Sequence, residues 1–217
     1  LFPLDSDEDG TKYSINCIYL TSDDKLYVGT DNYGLYVYDN GAFNRVAETY
    51  NLGVSTINAM YEDDKDQLWL ASSSGIYYLT SDGVKMVDDE GISGYNIGNI
   101  SGYDGTIYAT ANNDVLIRVD ENGEITVTSK SSYGIDDINS LYIDENGKRY
   151  YGSDGYSILT INSKGKVGVI STGSLHGINK IYNDGEKIWI LADDGVGYIT
   201  SGNKIVNVES LRFNESM

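Results

Sequence analysis

His176 is the only histidine among 217 residues, so a site built from several imidazoles is excluded. Any Ser-His-Asp arrangement would rest on that one side chain. The abundant reactive group is carboxylate, with 33 Asp and Glu against 15 Lys and Arg. Near the start, Asp5, Asp7, Asp9 and Gly10 match the opening of a D-x-D-x-D-G calcium loop. Such a loop also needs an apolar eighth residue and a bidentate Glu at the twelfth. Those positions hold Lys12 and Asn16, and the sequence runs on into a strand pattern. A solvated turn is expected there, with calcium the alternative for the three aspartates. Cys17 is the single cysteine, so no internal disulfide can form and a small buried side chain is expected. Nothing in this inventory implies a cofactor.

The elements that must position these groups are legible between Ile57 and Val87. Apolar runs at Ile57–Tyr61, Leu68–Ala71, Ile76–Leu79 and Val84–Val87 are separated by corners rich in Asp, Ser and Gly. Runs this short do not make stable helices, whereas such corners make hairpins, so the stretch reads as a four-stranded antiparallel meander. It recurs. Anchored on Ile15, Ile57, Ile97, Ile138 and Ile178, the repeats step by 42, 40, 41 and 40 residues on subtraction of the residue numbers. Second strands start at Leu26, Leu68, Ile107, Arg149 and Ile188, and third strands at Leu35, Ile76, Val115, Tyr156 and Val196. Fourth strands start at Phe43, Val84, Glu124, Lys166 and Lys204, each after a corner holding the Gly or Asn that positive φ requires.

Constant spacing near forty with four strands per unit is the pattern of a β-propeller blade. The predicted fold is all-β, a β-propeller of five four-stranded antiparallel blades of about 40 residues, closing alone or forming part of a larger ring. A single domain over 1–217 is expected, with blades at about 15–47, 57–87, 97–128, 138–170 and 178–208. Tyr27, Trp69, Tyr108, Tyr150 and Trp189 share one repeat position and are expected to pack between successive blades.

In such a meander, the loops joining second to third strands lie at the same end as those leading into the next blade. This end gathers Tyr50, Asn51, Tyr95, Asn96, Tyr133, Asp136, Asp137 and His176, together with Asp31, Asn32, Asn112, Asn113, Asp154, Asp193 and Asp194. Aromatic rings among Asn and Asp suit a polar, hydroxyl-rich ligand through stacking and hydrogen bonds, and loops are where binding groups concentrate. Four anchors are followed by Asn: Asn16, Asn58, Asn139 and Asn179. These either bond the open edge of the innermost strand or line a channel that receives ligand. Glycosidic cleavage needs paired carboxylates. The residues just before the anchors are Ser14, Thr56, Asn96, Asp137 and Gly177, only one of them acidic, so no catalytic residues are expected.

The sequence INCIYLTSDDKLYVGTDNYGLYVYD resembles the two-component regulator propeller repeat, whose usual form is Ile-Asn-x-Ile, an acidic turn, Leu-Trp-Ile-Gly-Thr and Gly-Leu-Tyr. Ile15, Asn16, Ile18, Leu26, Val28, Gly29, Thr30, Gly34, Leu35 and Tyr36 carry the match, and INAMYEDDKDQLWLASSSGIYYL repeats it more loosely. The resemblance weakens in repeats three to five, where Gly-Thr becomes Thr-Ala, Gly-Ser or Leu-Ala. It implies a non-enzymatic extracytoplasmic sensor region of a membrane-anchored bacterial receptor that feeds a kinase or cyclase output module.

A net charge of −18, spread along the chain, repels phosphate backbones and anionic lipid, so neither nucleic acid nor membrane contact by this segment is expected. The start at Leu1 is expected for a piece of a longer sensor. The partners that remain are a small-molecule or glycan ligand and, as the alternative, a second copy of the chain in a homodimer or another protein.

Overall fold

The corners set the architecture. In the computed structural model, which describes residues 13–46, 54–80, 83–87 and 91–208, an Asx residue opens five of the tight turns and accepts main-chain N–H groups through its side chain. Asp63 takes those of Lys65 and Gln67 at 2.9 and 3.0 Å, and Asp120 those of Asn122 and Glu124 at 2.9 Å each. Asp144, Asn162 and Asp184 do the same for their turns. These side chains satisfy amides that no sheet partner reaches. At the corner between third and fourth strands, Asn40 and Gly41 have φ of 52° and 86°, the left-handed pair a two-residue hairpin requires.

Five four-stranded antiparallel sheets result, each in simple sequential order. The first holds β1 (Ser14–Leu20), β2 (Leu26–Asp31), β3 (Leu35–Asp39) and β4 (Ala42–Arg45). The second holds β5 (Ile57–Glu62), β6 (Leu68–Ser72), β7 (Gly75–Thr80) and β8 (Gly83–Met86), and the third β9 (Ile97–Tyr103), β10 (Thr106–Ala111), β11 (Val115–Val119) and β12 (Ile125–Ser129). The fourth holds β13 (Ile138–Ile143), β14 (Arg149–Ser153), β15 (Ser157–Ile161) and β16 (Val167–Ser171), and the fifth β17 (Ile178–Asn183), β18 (Ile188–Ala192), β19 (Gly195–Ile199) and β20 (Ile205–Asn207). They are the five blades of a β-propeller. The described residues up to Asn112 together with Arg118–Ile125 form one compact unit, unit 1. Asn113–Ile117 and the residues from Thr126 onward form the other, unit 2.

Every first strand carries a bulge at the residue after its anchor. Ile57 pairs with Ser72 and Ala59 with Ala71, leaving Asn58 without a partner across the ladder. Asn16, Asn139 and Asn179 are skipped in the same way, and in the third sheet Gly98 is. An extra residue bends a strand and re-aims its side chain, which accounts for the repetition of Asn at this position.

Within each unit, an anchor isoleucine packs against a glycine of the blade before. A Cβ on Gly29 would lie 2.8 Å from Ile57 Cγ2, and one on Gly152 would lie 2.6 Å from Ile178 Cγ2. Ile57 and Ile178 are 0% exposed and centre the apolar clusters of units 1 and 2 respectively. Burying such a side chain stabilises by about 1.5–3 kcal/mol. Ile15, at the same repeat position, is 51% exposed, and Cys17 beside it is half-buried rather than buried, its thiol 3.7 Å from the Ile57 carbonyl oxygen.

The shared aromatic position serves two roles: Tyr27 and Tyr150 pack against the neighbouring blade as expected, and the two tryptophans also bind a turn. Trp69 and Trp189 are only half-buried, and each indole N–H donates to the aspartate of its own blade's first turn, Asp63 at 2.8 Å and Asp184 at 2.7 Å. The indole bond is the main reason that the Asp184 carboxyl titrates down at about 2. Tyr150 does pack in the apolar cluster of unit 2, its hydroxyl 3.3 Å from Asp144, and burial pushes its ionisation upward.

Candidate functional site

The loop end of unit 2 is assembled from three connections. After β12, Ser129 Oγ accepts the Ser131 N–H at 3.3 Å and starts a single 3-10 turn, Lys130–Ser132. The chain then returns through Tyr133, Asp136 and Asp137 to β13. The Lys130 ammonium pairs with Asp137 and lies 4.0 Å from Asp114. The Asp137 carbonyl accepts the Asp154 N–H at 2.7 Å, tying this return to the β14–β15 loop. In that loop, the Asp136 carboxylate occupies the place where a Cβ of residue 155 would stand, so a larger residue there would push the carboxylate aside.

The third connection brings His176. Its N–H donates to Asp194 Oδ1 at 2.9 Å, and its Nδ1 lies 3.9 Å from Asp193 Oδ2. Its ring meets Tyr156 edge-on, with centroids 5.0 Å apart at 60°. Tyr156 is 56% exposed, a large aromatic surface left open to solvent. Together Lys130, Ile135, Asp136, Asp137, Asp154, Gly155, Tyr156 and His176 line an open cleft of about 420 Å³. It offers two aromatic rings, three carboxylates and one ammonium, a set that accepts and donates hydrogen bonds around a ring platform.

Of the residues expected at this end, Asp136, Asp137, Asp154 and His176 line the cleft. Asn139 and Asn179 stand beside it, their side-chain amides donating to Asp154 at 3.4 Å and to Asp193 at 2.6 Å. Tyr133 closes the 3-10 turn through its N–H to the Lys130 carbonyl at 2.9 Å and does not line the cleft. In unit 1, Asn58 and Asn96 come together. The Asn58 side chain donates to Asn96 Oδ1 at 2.9 Å and to the Ile97 carbonyl at 2.8 Å, so it satisfies the innermost strand of the next blade. Ser140 repeats that bond to the Ile178 carbonyl at 3.2 Å in unit 2. Asn16 is exposed on β1, and Tyr95 is half-buried before β9. Tyr50, Asn51 and the Asp5, Asp7, Asp9 run lie outside the described residues. Among the described residues, no group of three or more His, Cys, Asp or Glu is placed to hold a metal ion.

Sequence reasoning missed Tyr156 and Lys130. Tyr156 heads an apolar run and reads as a strand residue, but β15 starts one residue later and leaves it on the loop. Lys130 had a usable signal, as the one cation between β12 and β13 in a chain of −18 net charge.

Neither a protein-family profile nor a curated protein sequence matches the chain. Solved structures do match. One is the extracellular domain of a protein described as a hybrid two-component system of B. thetaiotaomicron, with TM-score 0.75 at 23% identity over 92% of this chain and 30% of that one. A second extracellular domain of that description, from the same organism, gives TM-score 0.74 at 16% identity over 90% of this chain and 28% of its own length. An inactive virginiamycin B lyase from Staphylococcus aureus gives 0.70 at 17% identity over 93% and 71%. The chain thus spans under a third of the receptor domains it matches. The same architecture serves sensors and a lyase, so it decides nothing about catalysis. By structure as by its repeat, this chain has the β-propeller fold of the extracellular domains of two-component receptors.

Proposed function

We propose that this propeller segment is a non-enzymatic sensor region of a membrane-anchored bacterial receptor, lying outside the cytoplasm, and that the unit 2 cleft binds a polar, hydroxyl-rich small molecule or glycan. The observation that carries the reading is the exposed Tyr156 ring set edge-on to His176 beside Asp136, Asp137 and Asp154. An aromatic face held among fixed acceptors is how sugars are commonly gripped, by stacking on the ring and by hydrogen bonds to hydroxyls. The likeness of fold to extracellular receptor domains supports the location. Among the described residues, no helix is long and apolar enough to cross a membrane. A thermal-shift screen against oligosaccharides tests the proposal. At least one should stabilise the protein, and Tyr156→Ala should abolish that shift; no stabilisation by any oligosaccharide would end the reading.

Protein contact is the second reading, and it has its own observation. Ile18 and Leu20 on β1 are 68% and 62% exposed beside Ile15, an apolar strip larger than single scattered side chains. Sedimentation at micromolar concentration tests it: a dimer lost in Ile18→Lys supports contact between copies, and a monomer at all concentrations argues against it.

A further inference from the structure

Blades 2 and 5 are twins at their turn ends. Each has a tryptophan on its second strand paired across the ladder with a tyrosine, Trp69 with Tyr78 and Trp189 with Tyr198. The ring centroids are 5.2 and 5.6 Å apart, and each indole is tied to its turn aspartate. In blade 5, the residue just before the second strand is Lys187, whose ammonium sits 5.5 Å from the Trp189 ring and 4.8 Å from the Tyr198 ring. Blade 4 repeats the device, with Lys148 lying 4.5 Å over Tyr150. A cation over an aromatic face is held by the ring quadrupole.

Blade 2 has Gln67 at this position. Among the described residues, no lysine or arginine lies over the Trp69 ring. Instead, the aromatic pair opens on a groove of about 460 Å³, wholly within unit 1, whose far wall is the β11–β12 turn with Asp120 and Glu121. Asp63 adds a third carboxylate, its oxygens accepting the indole and turn N–H groups. Three cations stand nearby: Lys65 on the groove wall, exposed, Lys85 opposite Tyr78 across the ladder and outside the groove lining, and Arg118, 3.8 Å from Asp120. Among the residues lining the groove, three carboxylates face one ammonium, and the platform that sibling blades cover with their own lysine is uncovered.

We infer that this groove binds the alkylammonium or guanidinium group of a ligand, seated over Trp69 and Tyr78 with the carboxylates of Asp63, Asp120 and Glu121 around it. The ligand supplies the cation that blades 4 and 5 carry in their own sequence. The inference is independent of the unit 2 cleft, which shares none of these residues.

The chain has 2 tryptophans, so Trp189→Phe leaves Trp69 as the sole indole reporter. In that background, n-butylguanidinium should give a saturable change in fluorescence, and n-butylurea, nearly the same shape without the charge, should give none. Gln67→Lys installs the sibling residue and should weaken n-butylguanidinium binding by about tenfold or more. Glu121→Gln, at an exposed carboxylate outside the turn's hydrogen bonds, should weaken it with the thermal transition unchanged. A glycyl-arginyl-glycine peptide run beside the free compound distinguishes sources: tighter binding of the peptide assigns the cation to an arginine side chain, equal binding to a small molecule. A response that does not saturate, an equal response to n-butylurea, or unaltered binding in a folded Gln67→Lys protein would overturn the proposal.

Discussion

At the turn end of unit 2, Asp144 and Asp184 each gather two main-chain amides and one aromatic side chain within six residues of chain. At the loop end, Asp136, Asp137 and Asp154 face a cleft, and the ion pair there joins a half-buried lysine to an exposed aspartate. The residue type is the same and its use is opposite. A carboxylate that completes the hydrogen bonding of a corner acts on folding, whereas one aimed at open space beside Tyr156 is available to a ligand.

Four substitutions would break or sharpen this contrast. The largest loss should come from the layer between the two ends. Ile178→Ala empties the contact with Gly152 and should cost about 2–5 kcal/mol in urea unfolding, with the slope unchanged. Asp144→Ala removes three hydrogen-bond partners at once and should cost about 2 kcal/mol without altering any ligand-induced thermal shift. Asp184→Asn is read against pH. With its carboxyl held at about 2, Asp184 contributes stability that is present above about pH 4 and lost as pH falls through 2. The difference between the wild-type and variant stability curves should therefore shrink towards zero over that window. Asp137→Asn should move stability least, by under about 0.5 kcal/mol, while weakening any glycan response. Equal destabilisation by Asp144→Ala and Asp137→Asn would erase the distinction between the ends.

The sheets were readable because both their signals are local. Short apolar runs and Gly or Asn corners mark all twenty strands to within a residue or two, and Asn40 and Gly41 take the positive φ that their corner demands. What lay beyond reach was relational. A bulge exists only with respect to a partner strand, so Asn58 looks like any strand residue until Ile57 and Ala59 are paired with Ser72 and Ala71. Ile15 and Ile57 are identical in type and repeat position yet are 51% and 0% exposed, because burial depends on what stands opposite. Trp69 reads as core by composition, and only the geometry of its turn hands the indole N–H to Asp63. In the cleft, Asp136, Asp137, Asp154 and His176 follow from strand order alone. Tyr156 was hidden by a one-residue shift in the start of a strand, within the ordinary uncertainty of element boundaries.

The Asx corners carry a kinetic consequence. Their bonds join residues two to four apart in sequence, while the blade-to-blade bonds from Asn58 to Ile97 and from Ser140 to Ile178 span 39 and 38 residues. Closing a small loop takes far less time than recruiting a distant segment, so individual hairpins should nucleate early and docking of one meander onto the next should limit the rate. Refolding would then slow on loss of an anchor isoleucine only if docking is under way at the barrier, a question the Ile178→Ala protein can answer in a stopped-flow cell.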